Sequence, residues 1–72
     1  MNYTLSQLAV FDKVVEAKSI TTAANNLHMT QPAVSIQLRN FQKNFNTPLY
    51  ESRGRGIRIT DFGQNIARVC KK

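Results

Sequence analysis

Gln31, Ser35, Arg39 and Asn40 carry amide, hydroxyl and guanidinium groups at helical spacing, in a stretch whose apolar residues Val34, Leu38, Phe41 and Phe45 also recur at helical spacing. The two sets therefore occupy opposite sides of one helix. Such polar groups can donate or accept at a base edge or hold a phosphate, Gln in particular pairing bidentately with adenine, and none of them is acidic. Arg39 and the nearby Lys43 fit either as phosphate neighbours or as solvated surface. A second gathering, Arg53, Arg55 and Arg58 around Gly54 and Gly56, concentrates like charge on what reads as a turn, an arrangement that suits a polyanion.

The elements that position these groups can be read outward from them. Thr4 with Gln7 three residues later forms a capping box, and Leu8, Phe11 and Val15, with Leu5 and Val14 beside them, predict a first helix over Leu5–Ala17. Ser19 caps a second helix that turns Ala23, Ala24 and Leu27 inward and stops near Leu27 or His28; paired alanines allow close approach of a neighbour. After the turn His28-Met29-Thr30, Thr30 caps a third helix with Pro32 in its first turn. That helix is expected to run to about Phe45, ended by a left-handed Asn46 and by Pro48. Residues 49–51 and 57–59 have strand propensity and the segment 52–56 suits a tight reversal, so a two-stranded wing is expected over 49–59. Thr60 caps a fourth helix that places Phe62, Ile66 and Val69 on one face.

Composition bounds the function. The chain of 72 residues carries ten Lys and Arg against four Asp and Glu, a net charge of +6, with an isoelectric point near 10.1. Lys13 and Lys18 balance Asp12 and Glu16 in the first half, so the whole excess lies in residues 39–72. This favours one basic side facing a polyanion. A chain this short buries only about 60% of its unfolded surface, too little for a deep enclosed active site. Four scattered carboxylates and the single His28 supply no catalytic set, and a lone Cys70 gives neither a disulfide nor a zinc pattern. No enzyme activity, metal or cofactor is expected. No run approaches the roughly 18 apolar residues of a membrane span, and a cytoplasmic setting is expected.

Two short helices joined by a tight turn, the second opening with small polar residues, match a helix-turn-helix that sets a recognition helix in the major groove of double-stranded DNA. A winged-helix module for RNA or for protein interaction is the alternative, since a fold alone does not fix its partner. The run from Ile20 to Ser35, with its alanine pair, Leu27 and then Thr30-Gln31-Pro32-Ala33-Val34-Ser35, resembles the signature of LysR-type transcription regulators. Thr47-Pro48-Leu49-Tyr50-Glu51, Arg55 and Thr60-Asp61-Phe62-Gly63 resemble the same family's wing and the start of its linker helix.

The resemblance implies a mainly α winged helix-turn-helix: a three-helix core and two-stranded wing over residues 1–59, then the start of a dimerisation helix over 60–72. It implies an operator-reading domain whose recognition helix, 31–45, presents Thr30, Gln31, Pro32, Ala33, Ser35, Ile36 and Arg39 to DNA. Arg53 and Arg55 at the wing tip would follow the backbone or enter the minor groove. The parent protein would be a homodimer or tetramer, with a small-molecule inducer bound by a C-terminal domain outside this chain. The sequence departs from the family at Ile36 and Ser52, where Arg is usual, and at Lys18 and Asn46, where Gly is usual.

Overall fold

The computed structural model describes residues 4–53 and 56–70. Helix α1 (Leu5–Ala17) begins as the capping box predicts: the Gln7 amide donates to Thr4 Oγ1 at 3.0 Å, and the Thr4 amide donates to Gln7 Oε1 at 3.3 Å. It ends at Lys18, which adopts the left-handed conformation with φ 56° and donates its amide to the Val14 carbonyl at 2.7 Å. The residue before α2 (Ile20–Leu27) is Ser19, whose Oγ accepts the Thr22 amide at 3.2 Å.

His28 closes α2 with φ 57°. Its amide donates to Asn25 at 3.2 Å and that of Met29 to Ala24 at 2.9 Å, the two reversed bonds of a Schellman ending. The His28 side chain is exposed and Met29 is half-buried, so His28 shapes the turn through its backbone while Met29 does the packing.

Helix α3 (Gln31–Gln42) starts at Thr30, whose Oγ1 accepts the Ala33 amide at 3.3 Å. It stops three residues short of the expected Phe45, and the reason is local. The amides of Asn44 and Phe45 donate to Phe41 and Gln42 at 3.1 and 3.0 Å, bonds of the tighter three-residue kind that close a last turn. The Asn44 side chain caps the freed carbonyls of Asn40 and Phe41 at 3.4 and 3.1 Å. Asn46 is not left-handed: among the described residues other than glycine, only Lys18 and His28 have positive φ.

The core lies where the first three helices meet. Val10, Phe11 and Val14 of α1, Ala23 and Ala24 of α2, and Val34, Leu38 and Phe41 of α3 are buried together with Leu49. The inner line of α1 is thus centred on Val10 and Phe11, with Leu8 and Val15 at its edge, and Leu5 is 85% exposed. Leu5 heads the helix one turn before the neighbouring helices close over it. A row of rings ties the core to the fourth helix: Phe11 to Phe41 at 4.9 Å, Phe41 to Phe45 at 5.3 Å and Phe45 to Phe62 at 5.9 Å. Phe45 therefore keeps its inward role although it lies beyond the helix end.

Strands β1 (Tyr50–Arg53) and β2 (Gly56–Ile59) pair antiparallel, from Tyr50 opposite Ile59 to Arg53 opposite Gly56. The wing is tighter than expected, because both strands extend toward the reversal and Leu49 is a buried anchor before β1. Helix α4 (Asp61–Cys70) follows Thr60, whose Oγ1 accepts the Gly63 amide at 3.0 Å. Phe62 and Ile66 are half-buried and Ala67 is buried, whereas Val69 is 67% exposed. The expected inner face of α4 therefore ends before Val69, which lies beyond the reach of the three-helix core.

Candidate nucleic-acid interface

The buried line of α3 through Val34, Leu38 and Phe41 turns the opposite side of that helix outward. Gln31 and Pro32 in the first turn are exposed, as are Ile36, Arg39 and Asn40; Ala33 and Ser35 are half-buried at its margins. Thr30 is exposed, with its hydroxyl oxygen occupied by the Ala33 amide. The residues expected to read bases are thus brought to one rigid element. Twelve residues at about 1.5 Å each make a rod about 18 Å long, of a diameter that a major groove about 12 Å wide accepts.

In the wing, alternation places Tyr50 and Ser52 opposite Ile59 and Ile57 on one face, with Glu51 and Arg53 opposite Arg58 and Gly56 on the other. The first face rests on the core through half-buried Tyr50, Ile57 and Ile59. The second is solvent-facing, and there Arg58 Nη1 lies 3.6 Å from Glu51 Oε1 in an exposed pair. Arg53 is exposed without an ion pair among the described residues. Arg55 lies outside the described residues.

Helix and wing act electrostatically on each other. Burial raises the Tyr50 phenol above its ordinary value, and the Arg39 guanidinium pulls it part of the way back. The positive charge of the outward α3 face is thereby felt at the first residue of the wing.

The contacts that hold this geometry are not announced by helical or strand spacing. Gln42 Nε2 donates to the Thr47 carbonyl at 2.9 Å, while its Oε1 accepts the Leu49 amide at 2.6 Å. Thr60 Oγ1 donates to the Pro48 carbonyl at 2.7 Å, and the Thr60 amide donates to Leu49 at 3.1 Å. The loop between α3 and β1 is thus gripped from both sides. Gly63 passes so near it that a Cβ there would collide with the Leu49 carbonyl oxygen and stand 2.9 Å from Ile59 Cγ2. Most of these contacts join residues 7 to 14 apart, which helical or strand periodicity does not register.

Other surfaces offer less. A cleft of about 280 Å³ between α1 and α4 is lined by Asp12, Val15, Glu16, Gln64, Ala67 and Arg68, and its two carboxylates make it a poor seat for a polyanion. Among the described residues, no three His, Cys, Asp or Glu side chains come together as metal ligands, and no helix is long and apolar enough to cross a membrane.

Residues 5–64 match the family model described as bacterial regulatory helix-turn-helix protein, lysR family. The chain belongs to the LysR family. Among its relatives, the HTH-type transcriptional activator CmpR of Synechocystis sp. is 41% identical over 70 residues, which is 97% of this chain and 23% of that protein. A probable RuBisCO transcriptional regulator of Cyanidioschyzon merolae is 39% identical over 70 residues, again 97% and 23%. The chain spans less than a quarter of the length of these relatives.

Solved structures match in fold. The CbnR DNA-binding domain in complex with DNA superposes with a TM-score of 0.88 at 29% identity, covering 94% of this chain and 78% of that one. The BenM DNA-binding domain with benA site 1 DNA gives 0.83 at 32% identity, covering 92% and 77%. Oxidised OxyR of Corynebacterium glutamicum gives 0.91 at 30%, covering 99% and 22%. The architecture of this LysR chain is accordingly the winged helix-turn-helix, mainly helical with a single two-stranded sheet among the described residues.

Proposed function

We propose that this chain is the operator-reading domain of a LysR-type transcription regulator and binds double-stranded DNA in a sequence-specific manner. In this reading α3 enters the major groove. Gln31 and Ser35 reach base edges, with Thr30, Pro32, Ala33 and Ile36 against the groove and Arg39 near phosphate. Arg53 and Arg55 of the wing follow the backbone or a minor groove. The observation that carries it is the outward side of α3, which gathers Gln31, Pro32, Ile36, Arg39 and Asn40 without an acidic group. That the CbnR and BenM domains, to which this chain is similar, were solved in complex with DNA supports DNA as the partner.

The aromatic residues favour duplex DNA over single-stranded RNA. RNA readers stack bases on exposed rings, yet Phe11 and Phe41 are fully buried, and Phe45, Phe62 and Tyr50 are packed on the core. Among the described residues no Phe or Tyr ring stands exposed for stacking.

Residues 1–59 are proposed as the reading unit and 60–72 as the start of a pairing helix, whose exposed Val69 would meet a second copy. Inducer binding in a whole regulator would fall outside this chain. The role is that of a cytoplasmic binding protein without catalysis.

A gel shift with duplex DNA and RNA of equal length, repeated across salt, tests the reading. Engagement of three or four phosphates releases their counterions, so the logarithmic salt slope per chain is expected to be about −3. Tighter binding to RNA, or a flat salt response on duplex DNA, would refute it.

A further inference from the structure

Of the large apolar side chains that are exposed among the described residues, Leu5 and Val69 lie near the outer ends of α1 and α4, while Ile36 sits mid-way along the outward face of α3 at 50% exposure. Pro32 one turn before it is exposed and Ala33 is half-buried beside it. The first turns of the outward face therefore present a small apolar patch. Arg39, Asn40 and Lys43, all exposed, follow along the same line toward the C-terminal end.

Core packing among the described residues does not account for Ile36. It is not one of the buried or partly buried apolar side chains of the core, and an exposed β-branched residue is a slightly poorer helix former than the long polar side chains that usually occupy such a face. An explanation must come from what the face meets.

On the reading of α3 as the recognition helix, that surface is the floor of a major groove. Among the four bases, only thymine displays an apolar group there, its C5-methyl; the other features are hydrogen-bond donors and acceptors that Ile cannot satisfy. Setting Ile36 over a polar base edge would desolvate it without return. Over a thymine methyl, both apolar surfaces leave water together.

We propose that Ile36 is a specificity determinant that contacts the C5-methyl of one thymine in each half-site. Gln31 lies about a turn nearer the helix start and pairs with an adenine close by, so the target leans toward A·T. This assignment rests on the DNA-binding reading above.

The test begins with duplexes enriched from a random pool by the 72-residue chain at low salt. Each thymine of the enriched half-site is then replaced by uracil, which removes only the methyl group and leaves the protein unaltered. One position is expected to lose about fourfold in affinity, the worth of one buried methyl. In Ile36→Ala that position should become indifferent to uracil, while Ile36→Val keeps part of the response. If every uracil duplex binds like its thymine parent, or if Ile36→Ala responds as the parent does, the assignment to Ile36 is overturned and DNA reading stands. If no duplex is enriched at all, the DNA-binding reading fails and this one with it.

Discussion

The Leu49 amide donates to the side-chain oxygen of Gln42 at 2.6 Å, joining the last residue of α3 to the residue that precedes the wing. Leu49 is fully buried, so its amide has little access to water should the partner be removed. Gln42→Ala leaves that donor unpaired and is expected to cost about 1–3 kcal/mol, whereas the exposed Thr47 carbonyl can turn to water. Urea denaturation measures it, and a loss below a few tenths would show that another group or water takes over.

Gly63 and Gly56 form a matched pair for substitution. Gly63→Ala drives a methyl into the Leu49 carbonyl and against Ile59, contacts made by backbone and by a branched side chain with little room to yield. A loss of about 1–3 kcal/mol in unfolding free energy is expected, with α4 pushed away from the wing. At Gly56 a Cβ meets only the Arg53 carbonyl at 3.6 Å, ordinary contact distance, so Gly56→Ala should stay within about 0.5 kcal/mol. Equal thermal stability of the two variants would contradict the close approach at Gly63.

Lys18 holds a left-handed backbone with φ 56°, which costs an L-residue roughly 1–2 kcal/mol. Glycine removes that strain but raises the entropy of the unfolded chain by roughly 0.5–1 kcal/mol. Lys18→Gly is therefore expected to stabilise by up to about 1 kcal/mol, and Lys18→Val to destabilise. Differential scanning calorimetry of the two reports the sign directly.

Tyr50 gives the fold an alkaline limit. Its phenol is raised in the native state, by burial first, so the folded protein holds this proton more tightly than the unfolded chain does. The stability from this group is complete below the unfolded value of 10.0 and is lost as pH rises through the folded value. Tyr50→Phe should flatten the fall of stability that sets in near the unfolded value of 10.0. Because the Arg39 charge opposes the shift, Arg39→Ala should move the phenol still higher, as spectroscopic titration at alkaline pH can follow.

Arg58 is partly neutralised by Glu51 at 3.6 Å, whereas no ion pair is described for Arg53. An exposed pair of this kind contributes at most about 1 kcal/mol to stability, so Glu51→Gln should leave the melting temperature nearly unchanged. It should tighten duplex binding at low salt and steepen the salt slope, as Arg58 becomes available to phosphate. Arg53→Ala should do the reverse, lowering the slope by about 1. Filter binding from low to moderate salt separates these responses; identical slopes would take the wing out of the interface.

The helices and their starts were legible in the sequence because they are short-range matters. Thr4, Ser19, Thr30 and Thr60 each accept an amide three residues ahead, and the spacing of Val34, Leu38 and Phe41 alone dictates which side of α3 turns inward. The outward position of Ile36 follows from the same periodicity. The signature run around Gln31 and Ser35 made the family readable as well, since it lies within one unbroken segment. Periodicity could not reveal that Val10 outranks Leu5, because the side of α1 that is covered depends on where α2 and α3 happen to cross it. Nor could it end α3 at Gln42, since that stop arises when Asn44 turns back onto the helix and captures the carbonyls of Asn40 and Phe41, while the Gln42 side chain holds the Thr47 carbonyl of the loop that follows. The wing's placement beside the recognition helix belongs wholly to tertiary structure. It rests on Gln42, Thr60 and Gly63 meeting one loop from different elements, and a hydrogen bond or a steric fit between residues far apart in sequence leaves no periodic trace.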